Sequence, residues 1–123
     1  MNERAPQANP TPRRIQLSET QSFTRDGFDG HEYIAKSEGL GLTALAVDVH
    51  GTHPRKRMLG DTTRTYFVLE GTRTFILGDK SYEVIPGDCF TIPPDGEYEY
   101  SGLMRLLEVN VSPTNEFRDE KLQ

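Results

Sequence analysis

The sequence predicts an all-β domain, a sandwich or barrel. Three observations carry that reading. Runs rich in β-branched and aromatic residues, "YFVLEG" and "TFILGD" among them, recur roughly every ten residues through the second half. Turn signals separate them, with "GDKS" as a hairpin turn and Gly or Pro closing the others. No segment keeps the apolar period of an amphipathic helix, and 11 Gly with 8 Pro suit a turn-rich β chain.

Taken in order, residues 1–12 are polar, contain three prolines and bury nothing, so they read as a flexible arm. "RRIQLSE" is a possible first strand. His31 to Lys36 is the next, and Leu40 to His50 a longer one ended by Gly51. In that longer strand Leu42, Ala44, Ala46, Asp48 and His50 share one face, and Thr43, Leu45, Val47 and Val49 the other. The first face is small in its middle and leaves room for something else. "THPRKRMLGDTT" is a basic loop or irregular strand. A meander follows: "YFVLEG" and "TFILGD" divided by Gly71, then "YEVIPGD", "CFTIPP", "EYEY" and "LMRLLEVNV". "EFRDEKLQ" is polar. The division is an arm at 1–12, one domain at 13–113 and a polar C-terminal tail at 114–123.

A chain of 123 residues fits one domain and can bury a core without disulfides. The single cysteine, Cys89, lies among apolar neighbours in "GDCFTI" and reads as a small buried hydrophobe. A net charge of -5 argues against nucleic-acid binding. The N-terminus has no apolar run, and no segment reaches the ~20 apolar residues of a spanning helix. The expectation is a cytoplasmic protein with no membrane partner.

Residues 40–111 resemble the cupin superfamily, the RmlC-like jelly roll. One family motif runs G-x5-H-x-H-x3–4-E-x6-G, and "GTHPRKRMLGDTTRTYFVLEG" keeps its frame from Gly51 to Gly71. The other runs G-x5-P-x-G-x2-H-x3-N, and "GDCFTIPPDGEYEYSG" keeps its frame from Gly87. The resemblance implies a single cupin double-stranded β-helix, a jelly-roll barrel, and a homodimer. The family's metal-ligand positions are replaced. Its histidines fall on Arg57, Leu59 and Tyr98, and its glutamate on Arg64. A shift of one residue would give Met58 and Gly60 instead. A guanidinium is always charged and donates no lone pair, so neither a metal nor another cofactor is expected.

On that frame Arg57, Leu59, Arg64 and Tyr98 point into the barrel. Alternation adds Tyr66 and Val68 beside Arg64, and Tyr100 beside Tyr98, with Glu97 and Glu99 outside. Met104, Leu106, Glu108 and Asn110 share a face of the last strand that is either inward or outward. Arg57 and Arg64 would clamp a carboxylate or phosphate, Tyr98 would close over it, and Tyr66, Tyr100 and Glu108 would complete the ligand site. Alternatively, Arg64 pairs with Glu108 or Asp48 and Arg57 stays in solvent.

His50 and His53 flank Gly51, and His50, His53 and Tyr98 are the candidate acid–base groups. The "GTHPRKR" stretch faintly resembles cupin-type sugar-nucleotide isomerases and epimerases, which work without metal. A metal held by His50, His53 and a carboxylate is a further alternative. His31 is given no role. Three readings stay open: a metal-independent cupin binding a small anionic molecule (a carboxylate, a phosphate or a sugar nucleotide), a metal-free isomerase or epimerase, or a structural or regulatory cupin. No helical DNA-binding domain accompanies the barrel motifs. Deleting residues 1–12 is expected to change stability by less than ~1 kcal/mol, measured by thermal unfolding of the truncated and full chains.

Overall fold

A computed structural model describes residues 11–122. The arm expected at 1–12 lies almost wholly outside them. The described chain is a strand-built barrel with two single-turn 3₁₀ segments, Leu17–Glu19 and Lys36–Glu38. Its strands are β1 Gln21–Arg25, β2 Phe28–Ile34, β3 Leu42–Leu59, β4 Thr63–Leu77, β5 Lys80–Glu83, β6 Cys89–Ile92, β7 Glu97–Val111 and β8 Arg118–Lys121. They run antiparallel in the order β1-β2-β3-β7-β4-β5, with β6 also on β4 and β8 also on β3. No helix among the described residues is long and apolar enough to cross a membrane.

Three long strands, β3, β4 and β7, make the body. β7 lies between the other two, from Leu42 and Thr63 opposite Val111 to Arg57 opposite Glu97 and Leu77 opposite Tyr98. Gly51 and Gly71 do not end strands as expected; β3 and β4 pass through them, and the β4–β7 ladder shifts register just before Gly71. That crossing needs glycine for a physical reason. Gly71 has φ +102°, and a Cβ there would lie 2.2 Å from the Leu103 carbonyl oxygen. Gly102 has φ +142°, and its Cβ would lie 2.4 Å from the Thr72 oxygen. A strand with glycine at this point keeps its ladder instead of stopping.

The inward face of β3 carries Thr43, Leu45, Val47 and Val49, all buried. Leu42, Ala44 and Ala46 lie on the outer face. There they oppose Val111, Val109 and Leu107 of β7, and Phe67 of β4 extends the row at 43% exposure. The small residues therefore leave room outside the barrel, not within it. Met58, Tyr66, Phe75, Ile92, Tyr98 and Leu106 are fully buried, and Phe75 stacks on Phe90 at 4.2 Å. Each such side chain contributes on the order of 1.5–3 kcal/mol. On β6 Phe90 and Ile92 point inward, which turns Cys89 outward and exposes it, against expectation.

Two further departures concern the ends. "RRIQLSE" finishes in a 3₁₀ turn, and pairing begins only at Gln21. Residues 118–121, read above as polar tail, form β8 on the end of β3, with Arg57 opposite Glu120 and Met58 opposite Asp119. Charge holds this strand: Lys56 meets Asp119 at 3.5 Å and Arg57 meets Glu120 at 3.3 Å. A polar segment joins the sheet with almost no apolar alternation to announce it.

Candidate functional site

One end of the barrel opens into a cavity of about 300 Å³. Its wall includes His53 and Lys56 from β3, Arg64 from β4 and Glu108 from β7. Phe28 of β2 forms an apolar side, and Arg25, Asp26 and Lys121 stand around it.

Arg64 is the centre of the polar wall, at 13% side-chain exposure. Its Nε donates to Asn110 Oδ1 at 2.6 Å and lies 3.4 Å from Glu108 Oε2. One terminal nitrogen donates to the Tyr98 hydroxyl at 2.7 Å, and the other meets Asp119 of β8 at 3.0 Å. Asn110 then donates to Glu108 at 2.8 Å and to the Thr43 hydroxyl at 3.1 Å. Tyr98 and Tyr66 share a hydroxyl–hydroxyl bond of 2.9 Å. Burial acts to lower the Arg64 pKa, but Glu108 and the groups around it outweigh that and hold it well above its ordinary value. Arg64 stays charged.

His53 is 2% exposed and packed among rings, 4.5 Å from Tyr100, 5.4 Å from Tyr98 and 5.6 Å from Phe28 between centroids. Burial, then the Lys56 ammonium, lowers its pKa to about 4. Its Nδ1 and the Tyr100 hydroxyl are buried without a hydrogen bond of good geometry among the described residues, although the Pro54 backbone lies close enough to favour the protonated ring. The Tyr66 hydroxyl lies close enough to favour the Tyr100 phenolate slightly, yet outside hydrogen-bonding geometry. Burial raises Tyr98 to about 12 and pushes Tyr66 and Tyr100 well above the usual phenol range. All three remain protonated at neutral pH.

The structure brings Arg64, Glu108 and His53 to the cavity wall, with Tyr66, Tyr98 and Tyr100 packed behind them. Arg57, expected inside, points out. It pairs with Glu97 at 2.8 Å and with Glu120, while Met58 takes the inward place. The cause is a register break between His53 and Lys56 in the β3–β7 ladder. An extra residue in one strand exchanges every later face. Leu59 is only half-buried for the same reason. His50 is also outside, half exposed and 3.6 Å from Asp29. An odd spacing puts His50 and His53 on opposite faces, so they cannot share an ion. Of the two acids offered to Arg64, Glu108 is used and Asp48 is not. Asp48 pairs with Arg105 at 2.8 Å and lies 3.4 Å from His31.

Sequence reasoning missed Arg25, Lys56, Lys121 and Asp119. The last two belong to the strand that carries no apolar pattern. Lys56 was hidden by the register break. Arg25 sits at the hairpin joining β1 to β2, where nothing distinguishes it from a solvated turn residue.

The metal of the cupin fold does not fit here. Arg64 fills the polar wall with a group that repels cations and offers no lone pair. No group of three or more His, Cys, Asp or Glu that could hold a metal occurs among the described residues.

No protein-family model and no curated protein matches the chain. Solved structures do. Pac13, a Streptomyces nucleoside dehydratase, is 21% identical, superposes with a TM-score of 0.77, and is covered over 92% of each chain. Its variants were solved with uridine. Ectoine synthase from P. lautus is 14% identical, with a TM-score of 0.71 over 91% of each chain. KdgF from Halomonas sp. is 15% identical, with a TM-score of 0.69 over 83% of this chain and 94% of that one. The chain has the cupin-type jelly-roll fold, as the motif frame implied.

Two outcomes follow from the network. Arg64→Ala leaves Glu108 and Asn110 buried without their cation. It is expected to destabilise by ~3–5 kcal/mol in urea unfolding. The second concerns pH. His53 titrates at about 4 in the fold against 6.5 in the reference state. Between these values the unfolded chain binds the proton and the folded chain does not. The His53 contribution is therefore complete above pH 6.5 and lost as pH falls toward 4, about 3 kcal/mol in all. Wild type is expected to lose thermal stability over that window more steeply than His53→Gln.

Proposed function

We propose that this cupin barrel binds a small polar molecule in its cavity and catalyses proton transfer next to a carbonyl, without metal, with His53 as the base. The observation that carries the reading is the buried imidazole of His53, which lines the same cavity as Arg64 and has no side-chain hydrogen-bond partner among the described residues. Unsatisfied buried polar atoms are rare and call for a partner. A neutral imidazole accepts a proton, and a carbanion formed beside a carbonyl pushes charge onto oxygen. A guanidinium has five N–H donors, and Arg64 engages three of its nitrogens once each with Asn110, Tyr98 and Asp119. The remaining donors are suited to that oxygen. Tyr98 and Tyr66, protonated and linked to Arg64, are a proton reservoir joined to the same network.

Isomerisation and elimination both begin with this proton abstraction. The comparison with Pac13 adds support for the group of residues involved. The variants solved with uridine replace one histidine and two tyrosines of that protein. Those positions are 13 and 34 residues apart in sequence, the separations of His53, Tyr66 and Tyr100 in this chain.

The test is deuterium exchange. Carbonyl-bearing sugars and nucleosides are incubated with the protein in D₂O and followed by NMR. Wash-in next to the carbonyl is expected to fall ~100-fold or more in His53→Gln and to survive chelation. Exchange that persists in His53→Gln, or that chelation abolishes, would refute the assignment. Saturable binding of the same molecules with no exchange would favour a binding protein.

A homodimer is part of this reading. The outer row of Ala44, Ala46, Phe67, Leu107 and Val109 supports it, a partly exposed apolar stripe with Phe67 at its most exposed point, since apolar patches on a surface mark interfaces. Light scattering is expected to give twice the chain mass for wild type and the chain mass for Phe67→Lys.

A further inference from the structure

We infer that the cavity mouth is an anion subsite formed by Arg25, Lys56 and Lys121, and that the ligand of this barrel carries a phosphate or carboxylate on the end remote from its reacting carbon. This rests on the cavity being a ligand site but does not require His53 to be the base.

The argument is a charge count around one opening. Four cations line the cavity: Arg25, Lys56, Arg64 and Lys121. Two acids line it, Asp26 and Glu108. Asp119, behind the wall, serves Arg64 at 3.0 Å and Lys56 at 3.5 Å. Arg64 and Lys56 are thereby matched by Glu108 and Asp119. Arg25 and Lys121 have no carboxylate within 4 Å among the described residues; Arg25 only bonds the Thr24 carbonyl and lies 4.6 Å over the Phe23 ring. Asp26 is the one acid of the lining left to set against these two cations, so the lining keeps an excess positive charge. A protein of net charge -5 that gathers unpaired cations at this opening is oriented to attract an anion there.

Position sharpens the case. The three cations come from three separate elements: β1, the β3 segment after the register break, and β8. β8 owes its place to Asp119 and Glu120, which leaves Lys121 at the cavity. The cupin motif frame implies an anion between Arg57 and Arg64. Arg57 faces outward and Arg64 is already neutralised, so neither is free for it. Arg25 and Lys121 are free for it, and Lys56 stands beside them, sharing Asp119 with Arg64. Flexible ammonium groups and a rim position suit a solvated phosphate or carboxylate, while the deeper wall of Phe28, Leu45 and His53 suits an uncharged body.

The experiment compares ligand pairs that differ only in the anion: uridine with uridine 5′-monophosphate, and ribose with ribose 5-phosphate. Affinities are measured by calorimetry at ionic strength fixed with chloride. Inorganic phosphate is titrated in parallel while the backbone NMR signals of Arg25, Lys56 and Lys121 are followed. The proteins are wild type and the double variant Arg25→Gln/Lys121→Gln. In wild type the phosphorylated partner of at least one pair is expected to bind tenfold or more tightly, and phosphate to shift the mouth signals saturably. In the double variant the preference should fall below threefold and the phosphate shifts should vanish. Equal binding within both pairs, an undiminished preference in the double variant, or no saturable phosphate response in wild type would each overturn the proposal. His53→Gln should leave the anion preference unchanged, so loss of exchange in that variant and loss of preference in the other are separate results.

Discussion

The buried positive charge of Arg64 is the constraint that orders this barrel. Taking a guanidinium out of water costs several kcal/mol, and only close acceptors and opposite charge return it. Four groups do so here: Asn110, Glu108, Tyr98 and Asp119. Each ties down something further. Asn110 fixes Thr43 on β3, and Tyr98 fixes Tyr66 on β4. Asp119 explains why a segment as polar as "RDEK" lies on the sheet at all. The same charge sits on the motif frame where cupins place metal ligands, so the barrel interior is organised around a cation that belongs to the chain.

Much of this was legible where the period of two is unbroken. Tyr66 and Val68 follow from Arg64, and Tyr100 follows from Tyr98, because nothing interrupts those stretches of β4 and β7. Glu97 and Glu99 outside follow by the same rule, and both pair with Arg55. The pattern failed at Arg57. One register break between His53 and Lys56 exchanges the faces beyond it; Pro54 inside "THPRKR" marks it, since a proline in a central strand donates no ladder hydrogen bond, and a plain period-of-two reading passes over it. Cys89 failed differently: apolar neighbours suggested burial, but in a four-residue strand only every second position is inside. β8 failed because its stabilisation is ionic and long-range, and sequence pattern reports mainly local apolar spacing. The inward choice for Glu108 and Asn110 was open in sequence because their strand has apolar residues on both faces. The outer ones meet Ala44, Ala46 and Phe67, not solvent alone.

The charges that hold the wall also set the character of His53, the proposed base. Lys56 and Arg64 both oppose protonation of His53, and burial opposes it more; Glu108 pulls the other way. The ring is therefore neutral at physiological pH, ready to accept a proton but weakly basic, well below the value at which general bases work best. The imbalance is local, because part of it comes from Lys56 at the mouth. An anion seated among Arg25, Lys56 and Lys121 would cancel that part and raise the imidazole toward neutrality. With the proposed anion in place His53 would be a stronger base than in the free cavity, although burial, the larger cause of its weak basicity, remains. On this reading the remote anion of the ligand does more than anchor it: it brings the base closer to its working range only when there is a proton to remove.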